Sequence, residues 1–133
     1  MDKELVAEWF RLGDDDIDTA LLLKEMRPQH REIICYHCEQ AVEKYLKGFL
    51  VSKDQIPPKT HDLTLLCNLC SEQDQNFVNI LPQCSYLKQF SVQPRYPKEM
   101  DITDVNVEKA VKYALDVKGF PEIVELRGKG TSS

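Results

Sequence analysis

Three sets of residues in this chain are of types that do chemistry and stand at spacings that could bring them together. The first is His37, Gln40, Glu43, Lys44 and Lys47. At 3.6 residues per turn these fall within an arc of roughly 120° on one face of a helix. They place an imidazole, an amide, an acid and two ammonium groups side by side. One reading is the solvated face of an amphipathic helix. The other is a polar groove in which Lys44 and Lys47, three residues apart, hold a phosphate that Gln40 or His37 orients, with Lys47 and Arg95 expected at exposed positions. His61 and the Arg95-Tyr96 pair belong to the same hypothesis. Arg95 stands in a stretch stiffened by Pro94 and Pro97, and a rigid guanidinium suits phosphate or carboxylate. Each also has a local role open to it. His61 can donate to a neighbouring carbonyl and fix a turn, while Tyr96 packs and Arg95 pairs with an acid to anchor the next helix.

The second set is Arg31 and His37. A histidine base beside an arginine that steadies phosphate charge can cleave RNA through its 2′-hydroxyl. Six positions on a continuous helix amount to roughly 600°, so these side chains point about 120° apart. They converge only across a dimer interface or if Arg31 lies in a frayed first turn. The third set is Cys35-x-x-Cys38 and Cys67-x-x-Cys70, a spacing shared with zinc sites. Both pairs lie inside helical patterns without the glycine turns usual between paired ligands. Cys38 and Cys70 fall on apolar stripes, where a thiol behaves as a small hydrophobe, so core packing is expected and no metal or other cofactor.

Helices must position all of these groups. Apolar Leu5, Trp9, Leu12, Ile17, Ala20 and Leu23 predict a first helix from about residue 2 to 26, capped by Asp2, weakened at Gly13 and ended by Arg27-Pro28. Ile34, Cys38, Ala41, Tyr45, Gly48 and Phe49 predict a second from about 30 to 52. A third opens near Thr60, a candidate N-cap, and carries Leu63, Leu66, Leu69 and Cys70. A fourth spans about 74 to 92, kinked or restarted at Pro82. A fifth starts at a Thr103 cap, and Pro121 either kinks it or opens a short last helix. With no period-2 strand, these predict an all-α, up-and-down antiparallel bundle of four to five helices. It occupies residues 1–127, and residues 128–133 read as a tail.

The run Cys35-Tyr36-His37-Cys38-Glu39-Gln40-Ala41-Val42-Glu43-Lys44-Tyr45-Leu46-Lys47-Gly48-Phe49-Leu50, then Pro58-Lys59-Thr60-His61-Asp62-Leu63, then Arg95-Tyr96-Pro97, resembles the HEPN domain in order and spacing. The resemblance spans about residues 4 to 127. It implies a helical bundle that commonly dimerises, is often encoded beside a minimal nucleotidyltransferase, and has been proposed to bind nucleotides or nucleic acid. Many relatives are RNA-cutting toxins that use an arginine followed, after four to six residues, by a histidine. No histidine follows Arg95 in this chain.

The 133 residues suit one domain, and 42% hydrophobic with 29% charged residues is a globular composition. The net charge of −5 argues against a protein that coats nucleic acid nonspecifically. No stretch has the roughly 18 apolar residues of a membrane span, and the charged start Met1-Asp2-Lys3-Glu4 is unlike a secretory signal. Five cysteines, an odd number, fit a reducing cytoplasm better than a disulfide framework. Phe10, Leu22, Ile33 and Val42 lie off the main stripes, which predicts a homodimer that covers them.

The leading expectation is therefore a cytoplasmic, non-catalytic module binding a nucleotide or nucleic acid, a minimal nucleotidyltransferase, or both, as in a toxin–antitoxin-like pair. Its ligand residues are His37, Gln40, Lys44, Lys47, His61, Arg95 and Tyr96. The alternatives are a metal-independent ribonuclease using Arg31 and His37, and a structural interaction helper without a ligand.

Overall fold

The computed structural model describes residues 1–91 and 101–131. Six α-helices account for most of them: α1 Lys3–Lys24, α2 Arg31–Ser52, α3 Leu63–Gln73, α4 Leu81–Leu87, α5 Asp104–Lys118 and α6 Pro121–Thr131. Short 3-10 turns, Gln75–Ile80 and Lys88–Phe90, flank α4. No strand occurs among the described residues. Proline at the start of α4 restarts the chain after the first of these turns, and Pro121 opens α6. The bundle thus has six helices where the periodicity predicts four to five. Helix α6 also takes in residues 128–131, read above as the start of a tail.

Local signals set the helix starts. Asp2 accepts from the Leu5 amide, and Thr103 forms a capping box with Asn106. At α3 the predicted cap is displaced. Asp62, not Thr60, accepts from the Thr64 and Leu65 amides, while Thr60 accepts from the Asp62 amide. Asp62 wins because its carboxylate reaches two orphan donors and carries the charge the helix N-terminus favours.

Helix α2 is the centre of the bundle: fourteen of its 22 residues are buried. It runs antiparallel to α1, since Phe10 meets Gly48, Gly13 meets Tyr45 and Asp16 meets Lys44. Helix α5 is likewise antiparallel to α1, with Lys24 against Glu108 and Asp14 against Lys118. The core gathers Ile34, Tyr45, Leu46, Leu63, Leu66, Phe77, Leu87, Val107, Val117 and Ile123, each essentially inaccessible.

Gly13 is not a weak point in α1. It is a notch for the Tyr45 ring, and a Cβ there would stand 2.7 Å from Tyr45 Cε1. Gly48 is the reciprocal notch on α2, where a Cβ would lie 2.6 Å from Phe10 Cε1. Phe10 and Tyr45 then meet edge to face at 5.9 Å between centroids. Phe10 and Val42, expected on a dimer face, are instead 3% and 0% exposed inside the chain. Leu22 and Ile33 do reach the surface.

Candidate functional site

Three consecutive acids on α1 separate because each residue turns the helix by about 100°. Asp15 takes the solvent side and pairs with Arg11 at 3.0 Å. Asp14 accepts from the Tyr45 hydroxyl at 2.6 Å and from both terminal nitrogens of Arg127 at 2.9 and 2.6 Å. Burial raises the Asp14 carboxyl, but these hydrogen bonds outweigh it and hold the group below its usual range. Asp16 faces α2. Its Oδ1 lies 2.9 Å from His37 Nδ1, and its Oδ2 accepts from Lys44 Nζ.

Further along α2, Glu43 repeats the pattern. Lys47 donates to Oε2 at 3.0 Å, and His61 Nδ1 lies 2.9 Å from Oε1. An ionised carboxylate can only accept, so Nδ1 carries a proton in each imidazole. Nε2 of each ring is then the atom open to a ligand. The Glu43–Lys47 pair is nearly dry, its side chains 6% and 9% exposed. The Lys47 ammonium also lies 5.8 Å over the Trp9 ring.

Between the two acids sits Glu39, fully buried. Gln40 donates to its Oε1 at 2.8 Å, while Oε2 is buried with no hydrogen-bond partner among the described residues. Burial first, and the adjacent Glu43 second, push its carboxyl up to about 8. As the neutral acid, Glu39 turns its bare oxygen into a donor with Glu43 as its acceptor, which removes the cost of a stranded buried charge.

The expected stripe is therefore real as a cluster and different in character. His37, Gln40, Lys44, Lys47 and His61 come together along one side of α2. On α2 they form neither a solvated face nor an open cationic groove, because Asp16 of α1 engages His37 and Lys44, Lys47 is buried, and His61, from the entry to α3, closes on Glu43. Lys47, expected at the surface, is 7% exposed. His37 and Lys44 sit at the edge with a quarter or less of their side chains exposed, and His61 is 70% exposed. Lys44 and Lys47 each serve a different acid rather than sharing one anion. Arg95 and Tyr96 lie outside the described residues. Asp16 and Glu39, and Trp9 as a partner of Lys47, were not legible as site residues.

The family model described as HEPN domain matches residues 6–124. The chain belongs to the HEPN domain family. By structure it is similar to TT1696 from Thermus thermophilus, at TM-score 0.77 and 17% identity over 91% of this chain and 97% of that one. It is also similar to ST0689, an archaeal HEPN homologue, at TM-score 0.66 and 18% identity over 95% and 98%. At these identities the likeness concerns the HEPN bundle alone. No curated protein matches the chain by sequence.

Within this HEPN bundle Arg31 and His37 have different partners. Arg31 pairs with Asp104 of α5 at 2.8 Å, while His37 is held by Asp16 of α1. The five cysteines are free thiols buried in the core. Burial pushes Cys35 up to about 12 and raises Cys38 and Cys70 as well. Cys67 and Cys70 donate to the Phe77 and Leu46 carbonyls. No group of three potential metal ligands occurs among the described residues. No helix is long and apolar enough to cross a membrane, again among the described residues.

Proposed function

We propose that the protein is a non-catalytic HEPN binding module that takes the phosphate-bearing part of a nucleotide or RNA along the α2 edge. The observation that supports this is the paired arrangement around Asp16 and Glu43. Each carboxylate fixes one imidazole through Nδ1 and neutralises one lysine. The rings are oriented in advance, and orientation fixed before binding reduces the entropy lost on binding. His37, Gln40, Lys44 and His61 form the contacting edge, with Lys47 a buried strut beneath it. The separate partners of Arg31 and His37 weigh against the ribonuclease alternative, which needs both on one phosphate.

Trp9 is the single tryptophan and lies under Lys47, so its fluorescence reports on the edge. Titration with nucleoside triphosphates and short single-stranded RNA is expected to saturate. His37→Ala or Lys44→Ala should weaken the binding by about 1–3 kcal/mol, the scale of a charged hydrogen bond. No RNA should be cleaved by any version. RNA cleavage that disappears in His37→Ala refutes this reading. Loss of all nucleotide and RNA binding, with a minimal nucleotidyltransferase still captured, reassigns the edge as a protein contact.

The same proposal includes a homodimer in the reducing cytoplasm. Leu22 is 70%, Met26 45% and Ile33 36% exposed, and all three lie where α1 ends and α2 begins. A two-fold contact there covers apolar surface that a monomer leaves in water. Sedimentation equilibrium is expected to give about twice the 15.4 kDa chain mass. A monomer at tens of micromolar overturns the assignment.

A further inference from the structure

We propose that the cavity between the first turns of α1 and the C-terminal half of α6 binds a small amphipathic carboxylate, apolar body inward and charged head at the mouth. The cavity measures about 200 Å³. That is the bulk of roughly six or seven water molecules, the size of a short alkyl chain. Its floor is Val6 and Phe10, each nearly inaccessible, and Leu126 supplies a wall. A lining of this kind favours an apolar occupant over water.

Charge decides the other end of the ligand. On a chain of net charge −5, the lining side chains carry three cations, Lys3, Arg11 and Arg127, against the single acid Asp14. Arg127 is already committed. It grips Asp14 with two hydrogen bonds and lies 5.3 Å over the Phe10 ring, so its charge is already matched within the lining. Arg11 is tied to Glu8 and Asp15 on the surface, and the Met1 ammonium pairs with Asp54 at 3.1 Å. Lys3 makes no ion pair among the described residues. The uncompensated positive charge therefore sits at the mouth, on the first turn of α1. That pairs with a single negative head and an apolar tail, and it is independent of the α2 edge.

The test is an amide NMR titration of the whole chain with sodium octanoate, with 1-octanol as the uncharged arm. Octanoate is expected to give saturable shifts at Val6, Ala7, Phe10 and Leu126, and His37→Ala should leave them unchanged. Lys3→Glu should weaken octanoate about tenfold, the effect of losing one charged contact, and leave 1-octanol unaffected. Ala7 is exposed at the mouth, so Ala7→Trp should block both probes while a thermal melt stays cooperative. Lys3→Glu, also at an exposed position, tests the charge independently of any packing change. The proposal is overturned by the absence of saturable shifts at millimolar octanoate. It is equally overturned by binding that survives Ala7→Trp, or by an octanoate affinity that Lys3→Glu does not change.

Discussion

Replacing Glu43 with Gln is expected to destabilise the protein by about 3–5 kcal/mol, the cost of stranding one member of a buried ion pair. Gln keeps the volume and removes the charge, leaving the Lys47 ammonium in a setting where its side chain is 9% exposed. The Trp9 ring offers that ammonium a weak electrostatic partner, too little to replace a carboxylate. Lys47→Met in the same chain removes the stranded charge, so the double variant should be clearly more stable than Glu43→Gln alone. Urea unfolding of the two single variants and the double variant gives the coupling directly. A loss below about 1 kcal/mol for Glu43→Gln would place the pair among weak surface bridges.

Glu39→Gln is expected to act in the opposite direction, with an effect that depends on pH. In the folded protein the Glu39 carboxyl is held at about 8 rather than the ordinary 4.5. Between these values the folded chain keeps a proton that the unfolded chain releases. Stability is therefore complete below the lower value and is lost as pH rises through the upper one. Gln resembles the protonated acid: its carbonyl accepts from Gln40 and its amide donates to Glu43. The variant should match wild type near pH 5 and exceed it near pH 9, by roughly 5 °C or more in Tm for a chain of this size. Parallel melting curves across that range would show that Glu39 does not carry this proton.

The bundle was legible in the sequence because its signals are local. Asp2, Thr103, Pro82 and Pro121 act within one turn of where they stand, and the apolar spacing of α2 marks its buried side. The same spacing predicts a polar face for α2, and the face exists. Its exposure was not legible, because whether a lysine meets water or a carboxylate depends on a helix distant in sequence. Asp16 reads as one of three acids after a glycine; only the antiparallel register of α1 puts it against His37 and Lys44. Glu39 reads as one more charged residue until its surroundings remove the water. Phe10 and Val42 were misplaced for a related reason. A central helix buries more than one stripe, and α1 buries whatever fits its partner's notch.

Gly13 and Gly48 carry no functional group, yet they set the tolerances of the chemistry. Gly13 stands three residues from Asp16, and Gly48 four residues from Lys44, so each lies about one turn from the contact it governs. A methyl group at either position collides with an aromatic ring that is itself wedged in the core. The ring cannot swing aside as a lysine would, so the helix axes must separate. A few tenths of an ångström gained there are passed to the reach between Asp16 and its two partners, where hydrogen bonding weakens steeply with distance. The two glycines thus work as a gauge between α1 and α2, and selection for charge pairing at the edge becomes selection for the absence of a side chain one turn away.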